Sequence, residues 1–275
     1  MSMPISRRRA IQLIAVGTGL PPAISLWDHF KSPTSSRFEW QGRALGTQAK
    51  MQIHHNDQSK AAKIVAQSLQ ELERLERIFS LYRPDSELVA LNRDGYLARP
   101  SFELREVLAE SIRISELSRG AFDVTVQPLW ESHRKFHAEG KVANKAAIET
   151  ALRLVDYRKL EVSPSQIRLP VKGMAITLNG IAQGYITDRV AELLRARAMG
   201  EVLVNLGEVR GLGRHPSGRP WHVGLENPPG HDGTLRRIEL NEDSPAVATS
   251  AAHGHWFGAP RGRFGAPRGR HHLLD

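Results

Sequence analysis

The residues best placed to do chemistry lie between Ile176 and Tyr185, in the run Ile176-Thr177-Leu178-Asn179-Gly180-Ile181-Ala182-Gln183-Gly184-Tyr185. A β-type stretch meets a helical one there, at a pair of glycines. Free backbone N–H groups at a helix start, with the helix dipole behind them, favour a phosphate. Glycine also lets a ligand approach the backbone closely. The pattern is neither Gly-x-Gly-x-x-Gly nor a Walker loop, and alone it fits an ordinary strand-to-helix turn. Other runs accompany it in a fixed order. Leu81-Tyr82-Arg83-Pro84-Asp85-Ser86-Glu87-Leu88, Leu91-Asn92 and Gly120-Ala121-Phe122-Asp123-Val124-Thr125 come before it. Val204-Asn205-Leu206-Gly207-Glu208-Val209-Arg210, Pro220-Trp221-His222, Ala246-Val247-Ala248-Thr249-Ser250 and His271-His272-Leu273-Leu274-Asp275 come after it.

The elements that must carry these residues follow from periodicity. Phe38 to His54 alternates loosely and predicts a strand pair, with a turn near Gly42 and a second break at Gly46. Ala62, Val65, Leu69, Leu72, Leu75 and Ile78 recur at helical spacing, so Ser59 to Ile78 reads as an amphipathic helix. Pro84 to Glu87 is a turn into a short helix ending near Asn92. Ser101 to Ser118 is a second amphipathic helix stopped by Gly120, and Asn144 to Val155 a third with Asn144 as N-cap. Short β-rich runs are expected at Leu160 to Val162, Ile167 to Leu169 and Met174 to Leu178. A long helix is expected at Gly180 to Met199. Strands return at Val202 to Leu206, Trp221 to Leu225, Arg236 to Leu240 and Ala246 to Thr249. Helices gathered in the first half and strands in the second give an α+β class.

Charge and composition narrow the function classes. The 275 residues carry a net charge of +9, which invites a nucleic-acid reading. The excess sits at the ends. Arg7, Arg8, Arg9, Lys31 and Arg37 against Asp28 give +4, and Arg261, Arg263, Arg268 and Arg270 against Asp275 give +3. Phe38 to Trp256 therefore holds only +2, and no basic face for nucleic acid is expected. The absence of cysteine excludes disulfides, thiolate zinc sites, iron–sulfur clusters and cysteine nucleophiles. Arg7-Arg8-Arg9 ahead of the short apolar run Ala10 to Gly17 reads as an export signal of the twin-arginine type over residues 1–30. Residues 31–37 read as a linker, and 38–275 as the domain. The apolar stretch is short for a membrane span, so membrane contact is expected only through a signal that stays uncleaved. The expected location is the periplasm. Near the end, Gly258 to Phe264 is repeated as Gly265 to His271, and its composition argues a duplicated surface hairpin or loop.

The ordered set of runs, from about Ala44 to the last residue, resembles the FAD:protein FMN transferase family, also called ApbE. The resemblance implies a T-fold-like domain of antiparallel sheets with flanking helices. It implies magnesium-dependent cleavage of the FAD pyrophosphate, attachment of FMN to a threonine or serine hydroxyl of a partner flavoprotein, and release of AMP. By the same resemblance, Leu45 of Leu45-Gly46-Thr47 lines FAD, and Tyr82 stacks on the flavin. Ala121, Phe122 and Asp123 wrap against FAD, and Thr177 and Gln183 contact it. Gly180 offers a backbone carbonyl to the metal. Gln183 stands where many members have lysine. His272 and Leu274 fall in what resembles the family's His-x-x-Asp-Pro motif, with His272 as general base for the acceptor hydroxyl and Leu274 at the cofactor. Read from residue type alone, Tyr82 is equally a half-buried turn tyrosine and Asp123 equally a cap residue.

The family continues past this motif with a strand and a metal-binding helix, which the resemblance therefore leads one to expect missing here. The alternative to a transferase is then a non-catalytic, exported FAD-binding protein that has lost its metal ligands.

Overall fold

In a computed structural model, the described residues are 36–44, 47–227, 233–249, 256–258 and 269–271. In chain order they form β1 (Ser36–Ala44), β2 (Thr47–His55), α1 (Gln58–Phe79), α2 (Glu87–Asp94), β3 (Tyr96–Ala98), α3 (Phe102–Leu117), α4 (Gln127–Ala138) and α5 (Lys145–Leu152). There follow β4 (Glu161–Val162), β5 (Gln166–Arg168), α6 (Ala182–Ala196), β6 (Val202–Asn205), β7 (Val209–Leu212), β8 (Trp221–Glu226), β9 (Thr234–Leu240), β10 (Ala246–Val247), β11 (Trp256–Gly258) and β12 (Gly269–His271).

The main sheet has the order β1-β2-β6-β7-β10 and is antiparallel throughout. Alternation in β2 turns Ala49, Met51 and Ile53 inward. On that face lie α1 and α6, which pack on each other and on the sheet. The buried cluster runs through Met51, Leu75, Leu88, Leu104, Ile176, Ile186, Leu194 and Val204, all fully buried. Each such side chain contributes roughly 1.5–3 kcal/mol by leaving water. Smaller sheets, β3-β5-β4 and β8-β9, flank this core. Trp221, on β8, is buried and donates its indole N–H to the Leu212 carbonyl at 3.2 Å, which ties the β8-β9 hairpin to β7.

The α+β class and the antiparallel sheets agree with the sequence reading, and several local expectations are corrected. Gly42 lies inside β1 opposite Ala49, and β1 runs on to Ala44, which pairs with Thr47. The Trp40 ring folds over Gly42 where a side chain would sit, so the glycine serves packing within a strand and not a turn. The expected linker is shorter, since Ser36 and Arg37 already pair with His55 and His54. Met174, Ile176 and Leu178 are buried in alternation, but the segment joins no sheet. Helix α4 and strands β3 and β7 were not anticipated. The second copy of the tail repeat ends in β12, which pairs antiparallel with β11, so of the hairpin and loop alternatives these residues fit the hairpin. The rest of the repeat, and the signal segment, lie outside the described residues.

Candidate functional site

The glycine turn is held from both sides before the helix begins. Asn92, at the end of α2, donates its side-chain N–H to the Ile176 carbonyl at 2.8 Å and accepts from the Ile176 N–H at 2.7 Å. One side chain thus replaces a neighbouring strand. The next N–H, from Thr177, donates to the Val124 carbonyl at 2.8 Å. Gly180 then passes under Phe122, whose ring would lie 3.3 Å from a Cβ at that position. The Thr177 hydroxyl accepts from the Asn179 N–H at 3.3 Å.

Helices α4 and α6 start without a side-chain cap, unlike the other four. Asp57, Ser86, Ser101 and Asn144 each cap their helix with a side-chain oxygen. The N-cap of α6 is Ile181, which has no such oxygen. The Ile181 and Ala182 N–H groups donate to the Leu178 carbonyl at 3.0 and 2.7 Å, no side chain caps the N–H groups of Gln183 and Gly184 that follow, and Gly184 has open space where a side chain would project. This is the geometry that accepts an anion from outside.

A cavity of about 490 Å³ opens against this turn. Asn179, Gly180, Gln183, Gly184 and Tyr185 form one wall, Glu106 and Glu110 of α3 another, and Asp188, Glu208 and Ala248 complete it. Among the described residues no lysine or arginine lines it. Tyr185 donates its hydroxyl to Glu106 at 2.7 Å and meets the Phe79 ring edge-on at 5.5 Å. Burial, and then the bond to Glu106, push the Tyr185 phenol above its usual pKa. Burial also pushes the Glu208 carboxyl upward, partly offset by the Thr249 N–H that it accepts at 3.2 Å. Asp188 is paired with Arg210 of β7.

The residues expected to act together are partly brought together. A side chain on Gly207 would touch Gln183 Nε2 and Thr47 Oγ1, so Thr47 at the start of β2, the first turn of α6 and the Asn205 to Glu208 turn converge. Phe122 touches Gly180. Tyr82 is 74% exposed, which leaves its ring face available. Ala121 is exposed beside Phe122. Asp123 is occupied within the fold. Its carboxylate accepts from the Thr125 N–H at 2.8 Å, the Thr125 hydroxyl at 2.6 Å and the Tyr157 N–H at 3.0 Å. The cap reading of Asp123 is thus the one its hydrogen bonds satisfy. Leu45, His272 and Leu274 lie outside the described residues. The sequence reading passed over Glu106, Glu110 and Asp188, and quoted Glu208 only within the Val204 to Arg210 run. Only the spacing of Gly184 and Asp188, one helical turn apart, hinted at any of them.

A model of the ApbE family matches residues 45–275. The chain belongs to the ApbE family. It is 28% identical over 204 residues to the FAD:protein FMN transferase of Haemophilus influenzae, covering 68% of this chain and 58% of that protein. It is 31% identical over 206 residues to the FAD:protein FMN transferase of Chlamydia pneumoniae, covering 71% and 62%. It thus spans about three-fifths of those relatives. Among solved structures, the apbe protein of Thermotoga maritima superposes with a TM-score of 0.73 at 25% identity, covering 87% of this chain and 76% of that one. The mixed helix and antiparallel-sheet architecture is therefore that of ApbE proteins.

A magnesium ion, which the family resemblance implies, is only partly provided for. Among the described residues no three His, Asp or Glu side chains come together to hold a metal. The Gly180 carbonyl is a hard oxygen at the right wall, but the described residues do not complete a site around it.

Proposed function

We propose that this chain is an FAD:protein FMN transferase that moves FMN from FAD to a threonine or serine hydroxyl of a partner flavoprotein. The observation that carries the reading is the uncapped start of α6 opening into the cavity beside Gly180, Gln183 and Thr47. It supports a pyrophosphate against the helix N–H groups, with the exposed Tyr82 as a stacking face for the isoalloxazine. In the reaction the acceptor oxygen forms a bond to the FMN phosphorus. The pyrophosphate bridge breaks, and AMP leaves with the bridging oxygen. The hydroxyl proton passes to a base, for which His272 is the family-based candidate. The helix dipole and N–H groups of α6 stabilise charge that grows on the phosphoryl oxygens.

Magnesium belongs to the same reading, with the Gly180 carbonyl as one ligand. Its support is electrostatic. The cavity is lined by Glu106, Glu110, Asp188 and Glu208, of which Asp188 is paired with Arg210 and Glu110 with Arg113, and with no cation in the lining it disfavours a bare pyrophosphate. A divalent ion offsets that penalty when bound. No further step depends on it here.

The reading is tested by incubating the purified protein with FAD, Mg²⁺ and an acceptor carrying the target threonine. AMP release together with flavin fixed on the acceptor supports it. Bound FAD with neither product favours the second reading, a flavin-binding protein without transfer, which the incomplete metal set motivates. Export to the periplasm through the twin-arginine route is part of the proposal. Changing Arg8 and Arg9 to lysine, and following the location of the protein by cell fractionation, tests it. Undiminished export would remove that element.

A further inference from the structure

One charged group near the cavity has no place in the reaction as described. Arg210 lies on β7, between Val204 of β6 and Ala246 of β10. Its side chain is only 15% exposed. One terminal nitrogen donates to Asp188 Oδ1, and the other donates to Glu192 Oε1 at 3.0 Å. Both carboxylates belong to α6 and stand one helical turn apart. The Arg210 Nε is buried, and no acceptor meets it among the described residues. Burying a guanidinium with an unmet donor is costly. An arrangement that served stability alone would not need it, because apolar packing at such a place is often as stable.

The two legs of the fork are not equivalent. Glu192 does not line the cavity, and Asp188 does. Asp188 is half exposed, one turn beyond Gly184, on the same wall as the uncapped helix start. An ionised carboxylate is an acceptor only, so it has nothing to offer a pyrophosphate. What it can recognise is a hydroxyl next to that pyrophosphate. A dinucleotide carries such hydroxyls on either side, on the ribose and on the ribityl chain.

We propose that Arg210 is a positioning residue that holds the Asp188 carboxylate in the cavity mouth to accept a hydrogen bond from a sugar hydroxyl of the bound flavin nucleotide. The proposal rests on the FAD-dependent reading above and adds the group that reads the sugar. Lysine does not replace this arginine well. It is a point donor that cannot fork to Asp188 and Glu192 in one plane.

The test is a binding titration followed by flavin fluorescence, on the full chain, with ADP and FMN as additional probes and a thermal midpoint for every variant. Asp188→Asn and Arg210→Met are each expected to weaken FAD about tenfold, equivalent to about 1.4 kcal/mol. The double variant is expected to lose no more than the worse single one, because both changes remove one interaction. Arg210→Lys should fall between wild type and Arg210→Met. Glu192→Gln should stay within about twofold of wild type. A loss shared by ADP and not FMN supports the proposal with the ribose as partner, and the reverse supports it with the ribityl chain. Arg210→Met with a lowered midpoint and undiminished FAD affinity would overturn it, as would additive losses in the double variant or a loss seen with neither probe. A wild type that binds FAD without releasing AMP would end the transferase reading and leave the clamp standing. A wild type that binds no FAD would end both.

Discussion

At Gly207 the backbone adopts φ of 104°, and an added Cβ would lie 2.7 Å from Gln183 Nε2 and 3.2 Å from Thr47 Oγ1. Both the conformation and the space exclude a side chain. Gly207→Ala is expected to cost about 1–3 kcal/mol through backbone strain and to push Gln183 off the cavity wall. Urea denaturation would show a lower midpoint, and flavin titration a weaker complex. Gly184 makes the opposite case. Its φ is not in the left-handed region, and a Cβ there meets nothing within 4 Å. Alanine suits a first helical turn better by up to about 1 kcal/mol. Gly184→Ala should therefore leave stability unchanged or raised while it weakens FAD, because the methyl occupies the ligand's approach to the helix N–H groups. A drop in stability with FAD affinity unchanged would show that this glycine serves the fold and not the ligand. Gly180 and Gln183 were named through the family resemblance, since the glycine pattern alone fits an ordinary strand-to-helix turn. The sequence could not name Glu106, Asp188 or Glu208, since carboxylates on helices and turns read as solvated until the fold turns them to one cavity.

Among the elements, the helices with wide apolar faces were legible, and of their caps Asn144 alone was named from the sequence. Asp57, Ser86, Ser101 and Asn144 each precede a helix and accept from its first turn. Helix α4 escaped because its inward face is partly polar, with Gln127 and His133 buried beside Leu129. Its Pro128 falls in the first turn, where proline is favourable. Strand β7 escaped because Arg210 and Gly211 interrupt any apolar alternation. Gly211 is small because the Trp221 ring would lie 3.0 Å from a Cβ there, a contact set by β8 and invisible locally. The segment Met174 to Leu178 has the composition of a strand, but Asn92 takes the partner's place at Ile176. Asn92→Ala strands a buried N–H and C=O, which should cost about 2–3 kcal/mol. Because that segment aims the glycine turn, hydrogen exchange should accelerate at Ile176 and Thr177, and FAD binding should weaken in parallel. Faster exchange with undisturbed FAD binding would mean the turn keeps its geometry without the clamp.

Over the whole molecule, a net charge of +9 does not translate into an anion-attracting site. The body from Phe38 to Trp256 carries only +2, and the cavity is acidic. One carboxylate there makes stability depend on pH. Burial raises the Glu208 pKa in the folded state, so the native protein holds this proton more tightly than the unfolded chain does. Its penalty is absent below the unfolded value near 4.3, sets in as pH rises through that value, and is complete above the raised folded one. Glu208→Gln keeps an oxygen for the Thr249 N–H and carries no charge. It should therefore be more stable than wild type at neutral pH, with the difference shrinking as the solution is acidified through the carboxylate range. Equal stabilities at neutral pH would refute this. The same acidity governs ligand binding. Asp188 is paired with Arg210 and Glu110 with Arg113, but among the described residues no lysine or arginine lines the cavity, so nothing in its lining offsets the charge of a bound pyrophosphate. A bound divalent ion can, at contact distance. Chelation with EDTA is accordingly expected to weaken FAD binding by about tenfold or more, roughly 1.4 kcal/mol or above, with recovery on adding Mg²⁺. Raising ionic strength from about 0.05 to about 0.3 M should change the affinity far less than chelation does. An affinity indifferent to EDTA but steeply dependent on salt would place the anion's attraction in the basic ends and not in the cavity.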